Sequence, residues 1–228
     1  MSERLKTILF AVILCSVISL LLTAASTGLQ RYQEKNIVLD RQKNILKSVG
    51  LVEAEQKYSA DAIEKLYGES IHALWADLSG QIIEKPVSGR QDLPIYIYKK
   101  DDVIKAYIVP INSRGLWGRI MGYLAIQDDG STISGFTVYK HSETPGLGGE
   151  IEKQWFQKNF IGKKIVDQAG DFVSVSVARG KVADRIPKDL QRNYVDGISG
   201  ATLTGKYLTA GVKEILKNYE PVSIRFRK

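Results

Sequence analysis

"IYIYKKDDVIKAYIVPI", Ile95 to Ile111, holds two short β-rich runs on either side of an acidic pair. Ile and Tyr alternate in the first run, β-branched residues crowd the second, and Lys-Lys-Asp-Asp-Val between them has the composition of a hairpin turn. The pattern continues downstream. "IMGYLAIQ" (Ile120 to Gln127) and "TISGFTVYKH" (Thr132 to His141) are further runs of this kind, joined through "DDGS" (Asp128 to Ser131). "FVSVSVAR" (Phe172 to Arg179) alternates cleanly and predicts a strand with one face on the core. Helical spacings bracket these runs. A short helix is expected over Ile151 to Phe160, and a longer one over Thr204 to Tyr219, with Leu208, Val212, Ile215 and Leu216 as its buried stripe. Strands at hairpin spacing flanked by helices imply an α+β domain with an antiparallel sheet, and no strand–helix alternation supports a doubly wound fold.

Upstream, the 23 residues from Thr7 to Leu29 contain no charge, and Arg4, Lys6 and Arg31 flank them. As a helix they reach roughly 35 Å, enough to cross a bilayer core of about 30 Å. Small residues in "LTAAS" (Leu22 to Ser26) make a cleaved signal peptide the rival reading. The run is long for the apolar part of a signal, so an uncleaved single-pass anchor is expected. Basic residues on both sides leave its orientation undecided. Apolar positions Ile37, Val38, Ile45, Leu46 and Val49 then predict an amphipathic helix from Gln30 that ends at Gly50. A second helix is expected from Ala60 to Tyr67, stopping at Gly68, and Glu84 to Pro94 is a polar loop. The chain therefore divides into a short tail (1–6), a transmembrane helix (7–29), a helical connecting region (30–93) and the sheet domain (94–228).

Charge and cysteine usage narrow the function. The net charge of +7 rests on 32 Lys and Arg residues that are interspersed with acids, as in "KKDDVIK" (Lys99 to Lys105), so no nucleic-acid partner is expected. One cysteine rules out an internal disulfide, and with only two histidines it argues against a zinc site or an iron–sulfur cluster held by this chain alone. His72 and His141 lack motif partners, so no metal site is expected. A redox role would have to rest on an organic cofactor.

Two glycine-rich segments precede helices: "HSETPGLGGEI" (His141 to Ile151) and "DGISGATLT" (Asp196 to Thr204). Neither has the spacing of a dinucleotide fingerprint or a P-loop. Each places glycine backbone and hydroxyl groups at a helix start, where free N–H groups and the helix dipole suit a phosphate. Spacing alone is equally satisfied by ordinary turns, with Thr202 or Thr204 as a helix cap.

The motifs themselves carry a resemblance. "DGISGATLT" resembles the D-x-x-[ST]-G-A-T motif at which bacterial flavin transferases attach FMN to threonine through a phosphoester bond. "ETPGLGGEI" and "GLWGRIMGYLAI" (Gly115 to Ile126) are similar to further segments of the FMN-binding domain in the C subunit of sodium-translocating NADH:quinone reductases, and to the G subunit of the related Rnf complex. The Ser-Gly-Ala-Thr-Leu-Thr form favours the sodium pump's C subunit family.

The resemblance implies that Thr202 carries the FMN, with Ser199, Gly200 and Ala201 giving the transferase access to the backbone. Asp196 and Thr204 complete the modification motif. Glu143, Thr144, Gly146, Leu147 and Trp117 would lie against the flavin ring. No catalytic residue is implied in this chain. What is implied is a covalently flavinylated electron-transfer subunit, accepting an electron from an iron–sulfur centre elsewhere in a sodium-pumping NADH:quinone oxidoreductase and passing it to a flavin in a neighbouring subunit. Its partners would be the other subunits, the flavin transferase and the lipid bilayer. The chain would be a single-pass protein of the bacterial inner membrane with its bulk in the periplasm. Two alternatives stand beside this: an Rnf-type G subunit that couples ferredoxin and NAD, or a membrane-tethered scaffold domain that carries no flavin.

Overall fold

Alternating side chains between hairpin turns produce the expected sheet, and the computed structural model describes residues 2–53 and 55–227 of it and its surroundings. The elements are α1 (Glu3–Ser48), α2 (Ala60–Ser70), β1 (Ile71–Ala76), β2 (Ile82–Ile83), β3 (Leu93–Lys100), β4 (Val103–Arg114), β5 (Arg119–Gln127) and β6 (Ile133–Lys140). They continue with α3 (Gln154–Lys158), β7 (Ser176–Val177), α4 (Val182–Arg185), β8 (Tyr194–Val195) and α5 (Thr202–Phe226). Two bodies emerge, one ending at Asp40 and one beginning at Arg41. Residues 3–40 of the first are helix and almost wholly exposed, and α1 is long and apolar enough to cross a membrane.

In the second body, six strands pair in the order β2-β1-β3-β4-β5-β6, every neighbour antiparallel. The β3–β4 turn is tight because Asp101 and Asp102 both take positive φ (52° and 60°), the mirror-image geometry that matches strand twist. Period-two alternation then sorts the side chains. Ile95, Ile97, Tyr107, Val109, Ile111, Ile120, Leu124 and Ile126 form the core with Leu208, Val212, Leu216, Tyr219 and Val222 of α5. Ala106, Ile108 and Ala125 are buried on the opposite face. There the end of α1 lies on the sheet, close enough that a Cβ on Gly135 would collide with the Ser48 carbonyl oxygen. The Thr137 hydroxyl donates to the Asn44 carbonyl at 3.3 Å.

Several expectations need correcting. Helix α1 runs unbroken to Ser48, so no separate helix begins at Gln30. Residues 30–93 are not purely helical, because β1 and β2 belong to the main sheet. "IHALWA" hides its strand character behind an irregular burial pattern near the sheet edge. Gly68 lies inside α2 rather than ending it. The clean alternation of residues 172–179 yields only Ser176–Val177, paired in parallel with β8, since Ser174 has φ 72° and breaks the extended run. Its N–H and that of Val173 both donate to the Ile165 carbonyl. The helix expected over 151–160 is a 3-10 turn (Gly148–Glu152) followed by α3. Helix α5 begins two residues early and continues through Pro221 to Phe226. Beyond the proline, Ser223 shares a 2.6 Å hydrogen bond with the buried Tyr107 hydroxyl, which holds the last turn to the sheet.

Candidate functional site

Three loops meet at one end of the sheet. The first joins β4 to β5 and is closed by the Gly115 N–H donating to the Gly118 carbonyl at 2.7 Å, which leaves Trp117 70% exposed at its tip. The second follows β6, and the third leads into α5. Together they frame a cavity of about 320 Å³. Trp117, Glu143, Thr144, Leu147, Gly200, Ala201, Thr202 and Thr204 all line it, so the structure gathers eight of the sequence candidates. Gly146, Ser199 and Asp196 do not line it. Leu116, Gly148 and Leu203 do; each lies inside one of the three motif segments, although the resemblance gives none of them a role. Leu203 has a signal of its own, an apolar side chain between two threonines, and it is exposed on the first turn of α5 beside Leu116, Trp117 and Leu147.

The start of α5 separates the two threonines. Thr202 is its first residue and is exposed, whereas Thr204 is buried. The residue before the helix is Ala201, which offers no side-chain acceptor, and the first bond of the helix is donated by the Gly205 N–H to the Ala201 carbonyl at 3.0 Å. Thr204 therefore does not cap the helix, as spacing would allow. Its hydroxyl donates to Glu143 Oε2 at 2.5 Å. Glu143 Oε1 accepts the Trp117 N–H at 3.0 Å. Behind it, the Glu143 N–H donates to His141 Nδ1 at 3.1 Å, which leaves the His141 Nε2 proton for Glu152, 3.2 Å away. Gly200 has φ 74°, a left-handed backbone that favours glycine, and a Cβ there would also displace the end of the Leu147 side chain, 2.7 Å away.

Thr202 also borders a second cavity, of about 280 Å³, with Arg179, Gly180 and Lys206. Lys206 lies one turn along α5 from Thr202. Lys181, the other basic residue of that turn, sits 3.7 Å from Asp196 instead. Asp196 Oδ1 accepts the Val182 N–H at 2.7 Å, so this residue braces the 179–182 turn against the loop before α5.

Comparison with known proteins bears on this arrangement. Residues 115–217, which include all three loops, match the FMN-binding domain family. Over 229 residues the chain is 32% identical to the C subunit of the Na(+)-translocating NADH-quinone reductase of Yersinia pestis, covering 87% of this chain and 83% of that one. It is 34% identical over 230 residues to the corresponding protein of Neisseria meningitidis serogroup A, covering 90% and 85%. This chain belongs to the family of Na(+)-translocating NADH-quinone reductase C subunits. The crystal structure of the family member from Parabacteroides distasonis superposes with a TM-score of 0.71 at 30% identity, covering 86% of this chain and 96% of that one. The Shewanella oneidensis protein, at 20% identity and TM-score 0.66, shares the fold. Membership in this family decides between the two resemblances read from the motifs.

Proposed function

We propose that this chain is the membrane-anchored, FMN-carrying electron-transfer subunit of a sodium-pumping NADH:quinone reductase, with FMN joined through its phosphate to Thr202. The observation that carries the reading is the placement of Thr202: exposed, first in α5, and at the lip of an apolar-rimmed cavity. The cavity fits the group. Leu116, Trp117, Leu147 and Leu203 offer apolar walls to a planar aromatic ring. With Ala201 before it, the helix leaves its first N–H groups and positive dipole end available to a phosphate held on Thr202. Lys206, one turn on, and Arg179 add positive charge on the other side.

Glu143, the carboxylate in that cavity, directs its two oxygens to the Trp117 N–H and the Thr204 hydroxyl rather than to Thr202. A threonine hydroxyl is a weak nucleophile, so attachment falls to a separate flavin transferase that moves the FMN unit from FAD to the hydroxyl and releases AMP. When bound, the flavin supplies the redox chemistry, and this chain holds it, walls it off and sets its surroundings. The apolar stretch within α1 serves as the membrane anchor, and the body from Arg41 onward faces the periplasm of the bacterial inner membrane, where the transferase acts and the other subunits are met.

Flavin fluorescence in a denaturing gel tests the reading, with wild type, Thr202→Ala and Thr204→Ala each co-expressed with a flavin transferase. Fluorescence is expected in wild type and Thr204→Ala and absent in Thr202→Ala. A dark wild-type band would leave a tethered scaffold as the better reading. Loss confined to Thr204→Ala would move the bond to the other threonine.

A further inference from the structure

Glu143 and Thr204 are 4% and 2% exposed, yet both form part of the cavity wall. Their hydrogen bond spans 61 positions of sequence and joins the loop after β6 to α5. Through its other oxygen Glu143 takes the Trp117 N–H, so the three segments that frame the cavity meet on one carboxylate. Two glycines pack against that carboxylate. A Cβ on Gly115 would lie 2.5 Å from Glu143 Oε1, and one on Gly148 would lie 2.5 Å from Thr204 Oγ1 and 2.8 Å from Glu143 Oε2. Glu143 cannot turn toward a ligand donor without stranding a protein donor.

Resting on the flavin-carrier reading above, we propose that Thr204 is a positioning residue that acts through Glu143. Its hydroxyl fixes the carboxylate, and the carboxylate fixes the Trp117 loop and holds one negative charge beside the flavin cavity. The second threonine of the motif is then neither an attachment site nor a transferase recognition residue, and Glu143 serves the flavin through the field and shape that its two protein donors fix. A fixed negative charge at the wall opposes the addition of an electron nearby and lowers the potential of the bound flavin.

The test uses the full chain, co-expressed with a flavin transferase and purified in detergent, as wild type, Thr204→Val, Thr204→Ser and Glu143→Gln. Gel fluorescence reads attachment, visible circular dichroism reads the ring environment, and a spectroelectrochemical titration reads the midpoint potential. All four proteins are expected to fluoresce. Thr204→Val should alter the flavin dichroism and shift the potential, and Thr204→Ser should restore both. Glutamine at 143 can accept from Trp117 and donate to the Thr204 oxygen, so Glu143→Gln should keep the dichroism and raise the potential. A folded Thr204→Val with wild-type dichroism and potential would overturn the proposal. So would a folded but dark Thr204→Val beside a fluorescent Thr204→Ser, since the hydroxyl would then act in attachment. If Thr204→Val does not fold, Glu143→Gln decides: an unchanged potential overturns the proposal, a raised one supports it. A dark wild type removes the flavin-carrier reading itself, and the proposal with it, whereas a fluorescent wild type with insensitive variants removes the proposal alone.

Discussion

Ser174 combines two unfavourable features. Its φ of 72° lies in the left-handed region, and its hydroxyl, on a side chain 1% exposed, meets no hydrogen-bond partner among the described residues. A non-glycine residue in that region costs about 1–2 kcal/mol and a buried unpaired hydroxyl about 1–3 kcal/mol. Glycine would remove both, against roughly 0.5–1 kcal/mol of added freedom in the unfolded chain. Ser174→Gly is therefore expected to stabilise the protein by about 1 kcal/mol, a rise in Tm of roughly 2–4 °C for a body of this size. Ser174→Ala, which keeps the strained backbone, should gain less. A thermal melt of the two variants checks the order, and Ser174→Gly melting below wild type would show that the hydroxyl is satisfied by water. The same residue explains a misread strand. Alternation in "FVSVSVAR" reports which side chains can face a core, but nothing in a serine marks the one position where the backbone turns left-handed. Thr204 teaches a parallel lesson at the site. The motif resemblance locates it, yet its partner Glu143 lies 61 positions away and cannot be read from spacing.

Among the elements, β3 to β6 are legible in the sequence because each is a run rich in β-branched and aromatic residues bounded by turn residues, acidic in the β3–β4 and β5–β6 turns and glycine-flanked in the β4–β5 loop. Only β3 alternates, since β4, β5 and β6 carry stretches buried on both faces. The first two strands are not legible, since an edge strand of two residues and a neighbour with an irregular pattern give no such run. The β5–β6 turn shows what such a connection does in the folded protein. Asp129 Oδ1 accepts the N–H groups of Ser131 and Thr132, and its other oxygen takes the Thr132 hydroxyl and the Lys164 ammonium, the latter at 3.0 Å. Burial alone would raise the pKa of this carboxyl. The hydrogen bonds from Thr132 and Ser131, with Lys164, outweigh burial and bring it down to about 2. A carboxyl lowered in the folded state contributes stability above its unfolded value, near 3.9, and loses that contribution as pH falls through about 2. Asp129→Asn is thus expected to lower stability at neutral pH by at most about 1 kcal/mol, given the partial exposure of the pair, and to flatten the acid loss between about pH 4 and 2. Urea unfolding across that range compares the two slopes, and parallel curves would show that the turn does not couple to folding.

At the scale of the whole molecule, the second body takes in the last turns of a helix whose earlier part belongs to the first. Ile45 and Leu46 are 2% and 0% exposed, Ser48 presses its carbonyl against Gly135, and the Asn44 carbonyl accepts from Thr137. These residues cover the sheet face opposite α5, so they act as core although the sequence places them on a connecting helix. A chain beginning at Arg41 keeps them, and one beginning at Leu51 does not. Losing a buried Ile or Leu side chain costs about 2–5 kcal/mol, and two of them together rival the usual total of about 5–15 kcal/mol. Residues 41–228 should therefore unfold cooperatively at a denaturant midpoint close to that of the full chain's second body. Residues 51–228 should be less stable by several kcal/mol, read as a lower denaturant midpoint, or lose near-UV dichroism altogether. Equal midpoints for the two fragments would mean that the end of α1 only leans on the sheet. A clear difference would make Ile45, Leu46 and Ser48 part of the core of the body that holds Thr202, so that the domain's folding unit begins inside the helix rather than after it.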